Sequence, residues 1–327
     1  MKKIGCIIFF LLIFYNNVFG LYILEDSGNA RAVGLGGAFA ALSDDTSAIY
    51  YNPALLYDID RQQISVGYAR NFLSFNKLDV AYIYPKISFK PDIGLSVAVS
   101  SAFDSGIPVY NAVEFGETGE YALGNSMNYY ENLFLMGGGI KIKNIWMMQI
   151  SGGLSFQFIN RNIDDFKSYA YGINAGVNFR HRFFNFSIVG KNIFMKLKSE
   201  TAVEDIPVVL RVGSLIHFKR IFRALFNSKQ KQPTLLNNAL IMQNLNWRVN
   251  PVFDMDFVFD KEFYINFYGG IEGWLNEAAA VRIGYNSCRG LSVGISVNIV
   301  DTIRADYAYL IHSELEESHR ITVTYYF

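Results

Sequence analysis

The sequence predicts an all-β protein: a transmembrane antiparallel β-barrel of about fourteen strands with an N-terminal helical hatch inside the lumen. Three observations lead there. Aromatic residues make up 16% and hydrophobic residues 51% of the 327-residue chain, yet beyond the leader no apolar run approaches the ~18 residues of a spanning helix. Segment after segment alternates apolar with polar or small residues at a period of two. The chain ends on an aromatic strand, ITVTYYF. An exported apolar chain without a spanning helix satisfies its backbone in a bilayer only as a closed barrel. A soluble β-sandwich would also alternate, but it would leave the terminal aromatic residue unexplained.

The leader comes first. Met1-Lys2-Lys3 is basic, Ile7 to Phe14 is apolar, and Val18-Phe19-Gly20 suits a signal peptidase, so residues 1–20 read as a signal peptide. Cys6 leaves with it, and Cys288 alone gives the mature chain no internal disulfide. The 29 basic and 29 acidic residues balance, which argues against a nucleic-acid partner.

Residues 21–60 form the expected hatch. Its centre is GNARAVGLGGAFAALSDDTSAIYYNPA (28–54). Gly34, Gly36 and Gly37 do not make a phosphate-binding loop, because no strong strand precedes them and no Lys-Ser/Thr follows. The small and apolar residues fall at near-helical spacing. Ser43, Asp44 or Asp45 can cap a helical turn near 47–51, and Asn52-Pro53 stops it, since a residue before proline avoids the helical region. Helical turns placed ahead of the first strand have a natural place inside the barrel.

Residues 61–327 form the barrel. Strands are expected near 62–71, 77–88, 92–102, 129–142, 146–160, 168–181, 184–194, 207–218, 248–259, 263–274, 278–286, 290–299, 302–311 and 319–327. In LSVGISVNI, Leu291, Val293, Ile295, Val297 and Ile299 oppose Ser292, Gly294, Ser296 and Asn298. An even count returns the C-terminus to the side of the N-terminus. The turns at 143–145 and 182–183 are then periplasmic, and 103–128, 195–206 and 312–318 are extracellular, with 107–115 (IPVYNAVEF) an ordered loop. Tyr82, Tyr84, Trp146, Trp274 and Tyr309 near strand ends read as interfacial girdles. Tyr325 and Phe327 read as a C-terminal assembly signal for barrel-assembly machinery. The long segment 219–247 breaks the loop asymmetry. In it, Lys219, Arg220, Arg223, Lys229 and Lys231 oppose Ile221, Phe222, Leu225 and Phe226. That pattern fits an amphipathic helix on an anionic membrane surface, or a solvated linker.

Chemistry-bearing motifs are sparse. His181, His217, His312 and His319 form no metal-binding pattern. Glu314, Glu316 and Glu317 read as a solvated loop. Asp164/Asp165 and Asp254/Asp256 read as loop and strand-end charges rather than acid–base pairs. The expectation is a non-enzyme without metal or cofactor.

ARAVGLGGAFAALSDDTSAIYYNPALL resembles the N-terminal signature of the FadL-like outer-membrane barrels. It is most similar to their PorV/PorQ branch and to a related uncharacterised spirochaetal family. FNFSIVGKNI (184–193), IPVVLRVG (206–213), GGIEGWLNEAAAVRIGYN (269–286) and the segment 303–327 follow that branch's strand order. Segment 219–247 has no counterpart. The resemblance implies a fourteen-stranded barrel in the outer membrane, with Asn52, Pro53 and Ala54 as the family's Asn-Pro-Ala hatch element. FadL proteins carry long-chain fatty acids and other hydrophobic compounds inward, whereas PorV proteins serve type IX secretion and bind exported cargo. The expected function is hatch-gated uptake of a hydrophobic small molecule, with Phe39, Ile49, Tyr50, Tyr51 and Leu55 lining the pocket or packing the hatch. Outer-membrane lipid is the other expected partner. The alternatives are a secretion accessory with protein cargo and a purely structural barrel.

Overall fold

The computed structural model describes residues 22–25, 28–42, 44–71, 75–87, 93–112, 121–227, 247–312 and 316–327. The expected signal peptide lies outside these residues, as do Ser43, Lys229, Lys231 and Glu314.

The strands are β1 (Gln63–Arg70), β2 (Asn76–Ile87), β3 (Ile93–Ala112), β4 (Tyr121–Ile145), β5 (Met148–Ile163), β6 (Phe166–Arg180), β7 (Phe184–Ser199), β8 (Val203–Asp205), β9 (Val208–Ile216), β10 (Trp247–Phe259), β11 (Phe263–Leu275), β12 (Ala279–Asn286), β13 (Gly290–Val300), β14 (Ile303–His312) and β15 (Ser318–Tyr326). Each pairs antiparallel with its neighbour in sequence, except that β7 pairs with β9 and the short β8 lies on the end of β7. β1 pairs with β15, from Gln63 against Tyr326 to Arg70 against His319, and β6 pairs with β7. The sheet therefore closes into a barrel whose wall is the fourteen strands other than β8.

The period-two reading holds in the wall. Leu291, Val293, Ile295 and Val297 are exposed, while Ser292 and Ser296 are buried. Ile321, Val323 and Tyr325 face out, opposite buried Thr322 and Thr324. Phe134, Met136, Phe156, Phe186, Phe253, Ile271 and Ile283 extend the outward apolar surface around the barrel. Each such side chain is worth ~1.5–3 kcal/mol when removed from water, and on the outside of a closed barrel only lipid removes it. The lumen faces carry the reverse pattern of small, polar and charged residues.

Three elements differ from the sequence reading. Residues 103–112 and 121–128, expected in an extracellular loop, continue β3 and β4, which run for 20 and 25 residues. At ~3.3 Å per residue β4 is ~80 Å long, far more than the ~10 tilted residues of one crossing, so this hairpin projects beyond the membrane. It lengthens an existing strand and leaves the parity of the count intact. Trp274, expected in a girdle, faces the lumen and is 5% exposed, because the inward positions of β11 are the even ones. Trp146 and Tyr84 are outward and exposed as expected. Finally, the inward side of β7 passes from Val189 to Asn192 to Met195, with Asn192 and Phe194 at φ 59°. The β6–β7 register shifts twice there, around Ile173.

Inside lie α1 (Tyr22–Glu25), α2 (Ala30–Val33), α3 (Ala48–Tyr51) and a 3-10 helix (Pro53–Asp58). The segment 218–227 forms a fourth helix, α4 (Phe218–Asn227), at the barrel end where the strands begin and finish. This is the terminal end; the β3–β4 hairpin projects from the far end.

Candidate functional site

The hatch and the lumen wall it touches form the candidate site. Its local structure follows from a few residues. Asp45 Oδ1 accepts from the Ser47 amide at 2.9 Å and so opens the turn that leads into α3. Asn52 is extended, with φ −159° and ψ 106°, as its following proline demands. Its Oδ1 accepts from the Ala54 amide at 3.0 Å, capping the 3-10 helix, and its Nδ2 donates to the Ala40 carbonyl at 2.9 Å. One side chain thus ends α3, starts the next helix and ties both to the Gly-rich arm. Gly36 and Gly37 follow α2 with φ 68° and 86°, the left-handed region that favours glycine.

Close contact with the wall needs missing side chains on both partners. The 3-10 helix lies on Gly94 of β3, Gly139 of β4, Gly153 of β5 and Gly176 of β6; a Cβ on Gly139 would stand 2.7 Å from the Pro53 carbonyl, and the other three would strike Leu56, Pro53 and Asn52. Across the lumen, a Cβ on Gly294 of β13 would stand 3.2 Å from Gly34 Cα, and one on Gly270 of β11 would stand 2.8 Å from the Leu35 carbonyl. The Gly36 amide donates to Ser292 Oγ at 3.1 Å.

The β10–β14 side of the lumen holds a buried ion network. Arg31, fully buried, donates to Glu272 through Nε at 2.7 Å and Nη2 at 2.9 Å. Its Nη1 reaches Asp45 Oδ2 at 3.0 Å and also pairs with Asp44. Arg282 donates to Glu272 at 2.8 Å, and Arg304 bridges Asp306 at 2.8 Å and Asp45 at 2.9 Å. Arg248 lies 3.9 Å from Asp44. Four guanidiniums (Arg31, Arg248, Arg282, Arg304) therefore meet four carboxylates (Asp44, Asp45, Glu272, Asp306). The Trp274 ring sits among Arg31, Arg248 and Arg282, with guanidiniums 5.5 to 6.0 Å from its centre, a favourable cation–π position. Burial pushes the Asp45 carboxyl up, but Arg31 and then Arg304 outweigh it and hold the group below its ordinary range.

Asp254 and Asp256 correct the sequence reading. They stand inward in the middle of β10 and are buried. Asp254 Oδ2 accepts from the amides of Phe39 at 2.9 Å and Ala40 at 2.8 Å. Asp256 takes two bonds of 2.5 Å from Arg211 and one of 3.0 Å from the Tyr268 hydroxyl. Both belong to the seat of the hatch.

The β2–β7 side differs. Asp58, at the terminal end, accepts from Gln149 at 2.6 Å, Asn178 at 3.1 Å and Arg180 at 3.3 Å. Burial lifts its carboxyl above the ordinary value despite these partners. On the far-end side of the 3-10 helix Ala102, Leu133, Leu135, Ile159, Ala170, Met195 and Leu197 face the lumen, interspersed with buried polar groups: Lys77 pairs with Asp79 at 3.1 Å and Glu131 accepts from the Ile23 amide at 3.1 Å. The wall is irregular beside this surface. Where the β6–β7 ladder shifts, Gln157 donates to Asn192 at 2.9 Å, Asn174 donates to Gln157 at 3.1 Å, and Asn174 Oδ1 accepts from the Asn192 amide at 3.0 Å. Met195 fills the space over Gly172.

The sequence-derived ligand candidates come together in the hatch–wall core. Phe39, Ile49, Tyr50, Tyr51 and Leu55 are 0 to 8% exposed. Phe39 lies 5.5 Å from the Tyr51 ring, Ile49 meets Gly137, and Tyr50 takes a 3.3 Å bond from Ser100 Oγ. They pack the hatch against the wall; the apolar lumen surface beyond them belongs to β3–β7. Gly34, Gly36, Gly37, Asn52, Pro53 and Ala54 lie at the wall as described. Tyr325 and Phe327 are outward, with rings 4.9 Å apart. Sequence reasoning missed Arg31, Glu272, Arg282, Arg304 and Asp306. For the four wall residues the signal is the inward parity of β11, β12 and β14; Arg31, on the hatch, carries no such mark.

No family model matches the chain, and no curated protein matches it in sequence. Solved structures do. The crystal structure of the Ralstonia pickettii toluene transporter TbuX matches with a TM-score of 0.56 at 10% identity, over 94% of this chain and 100% of that one. A deltaS2 mutant of the TodX monoaromatic hydrocarbon channel matches with a TM-score of 0.53 at 10% identity, over 91% and 98%. At this identity the likeness is one of fold. Fourteen strands with a lipid-facing apolar exterior and the architecture of hydrocarbon channels make the chain a multi-pass barrel of the outer membrane.

Proposed function

We propose that the chain is an outer-membrane channel for uptake of hydrophobic compounds such as long-chain fatty acids, with the hatch as its gate and floor. The observation that carries this reading is the apolar lumen surface of Leu133, Leu135, Ile159, Ala170, Met195 and Leu197 on the far-end side of the hatch. These side chains are 0 to 5% exposed and form one cluster with the apolar residues of the hatch; a water-filled porin has no use for it, whereas an apolar solute that takes the place of the hatch side chains regains ~25 cal/mol per Å². The TbuX and TodX channels, named for toluene and monoaromatic hydrocarbons, share the architecture. No chemical step is assigned to the chain.

Two routes lead out of this surface. The axial route displaces Arg31 from Glu272 and Asp45, and breaking a buried pair costs ~3–5 kcal/mol. The sideways route, at the β6–β7 shift, displaces neutral side-chain bonds of ~0.5–1.5 kcal/mol each. The sideways route is the lower barrier, and the hatch then closes the axis while the solute passes into the wall.

Mass spectrometry of the protein purified in mild detergent from its native membrane tests this reading. A stoichiometric apolar ligand, lost in Ile159→Asn with Leu197→Asn but kept in Tyr68→Ser on the outer wall, is the expected result. A ligand-free barrel that takes up no added fatty acid would overturn it. A cysteine pair at Ile173 and Ile193, which face each other in register, should slow ligand exchange when oxidised.

The projecting β3–β4 hairpin favours a second reading, a secretion accessory of the PorV kind that docks protein cargo at the far end. Co-purification of exported proteins, lost when residues 106–126 are shortened, would support it; a source genome without type IX secretion genes would remove it. In either reading Tyr325 and Phe327 serve as the assembly signal. Phe327→Ala should lower the yield of inserted barrel.

A further inference from the structure

A surface cleft of about 300 Å³ opens at the terminal end, at the rim of the barrel; Trp146, Met147, Arg180, His181, Arg182 and Arg220 are among its lining residues. Two turns and a helix build it: the β4–β5 turn supplies Trp146 and Met147, the β6–β7 turn His181 and Arg182, and α4 supplies Arg220. We propose that this cleft binds the phosphodiester headgroup of an anionic phospholipid in the leaflet that meets the terminal end of the barrel.

Charge comes first. Three arginines line the cleft and no acid does. Asp58 reaches Arg180 from inside the barrel at 3.3 Å, and Arg182 and Arg220 answer to backbone and rings instead. The Arg182 guanidinium lies 4.4 Å from the Phe183 ring centre, and Arg220 Nη1 donates to the Arg182 carbonyl at 3.2 Å. The neighbourhood registers the excess. Burial, then Arg220, Arg180 and Arg248, hold His217 down to about 4. Burial, then Arg180 and Arg248, also lower Arg220. A phosphate monoanion relieves this repulsion, and guanidinium forks match phosphate oxygens in pairs.

The rim then selects a lipid over a soluble phosphate. Trp146, at φ 55°, is 97% exposed and Met147 is 67% exposed. Large apolar side chains held out beside arginines at the end of a membrane strand are placed where tryptophan anchors at bilayer interfaces. Helix α4 continues the surface. Phe218 and Phe222 pack on Trp247 of β10, with ring centres 6.3 and 5.9 Å away. Lys219, Arg220 and Arg223 fall on the opposite side of the helix, the arrangement of a helix lying on an anionic surface. The hatch reaches the cleft only through Asp58, which bonds Gln149 and Arg180; Trp146, Arg182 and Arg220 stand apart from it, and the variants that test the site are at those residues, so this site is tested separately from the uptake reading.

Native mass spectrometry of the full chain in detergent, titrated with phosphatidylglycerol or phosphatidylethanolamine, reads the site directly. Phosphatidylglycerol should be retained in preference, and Arg182→Gln with Arg220→Gln should weaken its retention about tenfold, the effect of losing one charge-assisted bond. Trp146 fluorescence should be quenched by phosphatidylglycerol with brominated chains, relative to Trp146→Phe. Heat-modifiable migration on gels checks that each variant is a folded barrel. Equal retention of the two lipids, or unchanged retention in the double variant, would overturn the proposal. So would inorganic phosphate displacing the lipid at millimolar concentration, because the site would then recognise the free ion.

Discussion

The hatch meets the two halves of its lumen in different ways. On both sides its backbone approaches the wall through glycines. On the β10–β14 side that contact is overlaid with a buried ion network in which Arg31 and Asp45 of the hatch reach Glu272, Arg282, Arg304 and Asp306 of the wall. On the β2–β6 side the 3-10 helix lies on bare glycines, with Asp58 at the rim; beyond it Leu133, Leu135 and Ile159 face the lumen beside the buried Lys77–Asp79 pair and Glu131, which accepts from the Ile23 amide of the hatch at 3.1 Å. Buried ion pairs add little net stability relative to apolar packing but penalise every misplacement. The charged half therefore fixes where the hatch sits, and the other half leaves an apolar face that a solute can use. A plug that was charged all round would exclude hydrophobic ligands; one that was apolar all round would have no single seat.

The largest effect should come from the charged half. Arg31→Met leaves Glu272 with Arg282 alone and Asp45 with Arg304 alone, so the network carries one uncompensated negative charge, at a cost of about 3–5 kcal/mol. Limited proteolysis of the folded barrel should then cut within residues 28–58, where the wild type resists. Adding Glu272→Gln should restore part of the protection. If the single variant stays protected, the network does not hold the hatch.

Much of this contrast was present in the sequence, but unevenly. The alternation of Leu291 to Ile299 and of Ile321 to Phe327 placed strands and faces correctly, because lipid and lumen demand different residues at a period of two. The same parity, applied to β11, puts Glu272 and Trp274 inward together. It was passed over because an aromatic residue near a strand end resembles a girdle residue. Asp254 and Asp256 looked like loop charges for a related reason: a carboxylate that faces a lumen has no local mark, and its partners, the Phe39 and Ala40 amides and Arg211, lie 45 to 215 residues away. The kink in β7 breaks the period itself, since two register shifts move the inward face from Val189 to Asn192 to Met195. The extension of β3 past Gly106 and Pro108 was hidden by two residues that ordinarily end strands.

A smaller effect should come from the glycine seat. Gly153→Val puts side-chain atoms where Pro53 and Ala54 backbone lies. Overpacking of this kind costs about 1–3 kcal/mol, and here it lifts the 3-10 helix without touching the ion network. The expected outcome is proteolytic cutting near residues 53–58 alone, together with faster ligand exchange. In Arg31→Met the Gly-rich arm opens as well. Identical cleavage patterns in the two variants would mean that the hatch moves as one piece and that the two halves are not independent seats.

The smallest effect separates the halves by the sign of their response to acid. Asp45 is held below its ordinary value, so it contributes stability above the unfolded-state value of ~3.9 and loses it as pH falls through the lower folded value. Asp58 is raised by burial, so its contribution is present below ~3.9 and is lost as pH rises through its higher folded value. At neutral pH the ionised Asp58 carboxylate is therefore a cost that Gln149, Asn178 and Arg180 offset only in part. Asp58→Asn should change thermal stability at pH 7 by less than about 1 kcal/mol, because the amide oxygen still accepts from Gln149 while the lost bond from Asn178 is offset by removing a buried charge. Near pH 4 the same substitution should lose whatever advantage it had. Asp45→Asn should behave in the opposite way, strongly destabilising at pH 7 and converging on the wild type only in strong acid. Unfolding temperatures of the wild type and the two variants between pH 3 and 8 give both slopes, and slopes of the same sign would show that one electrostatic environment governs the whole hatch.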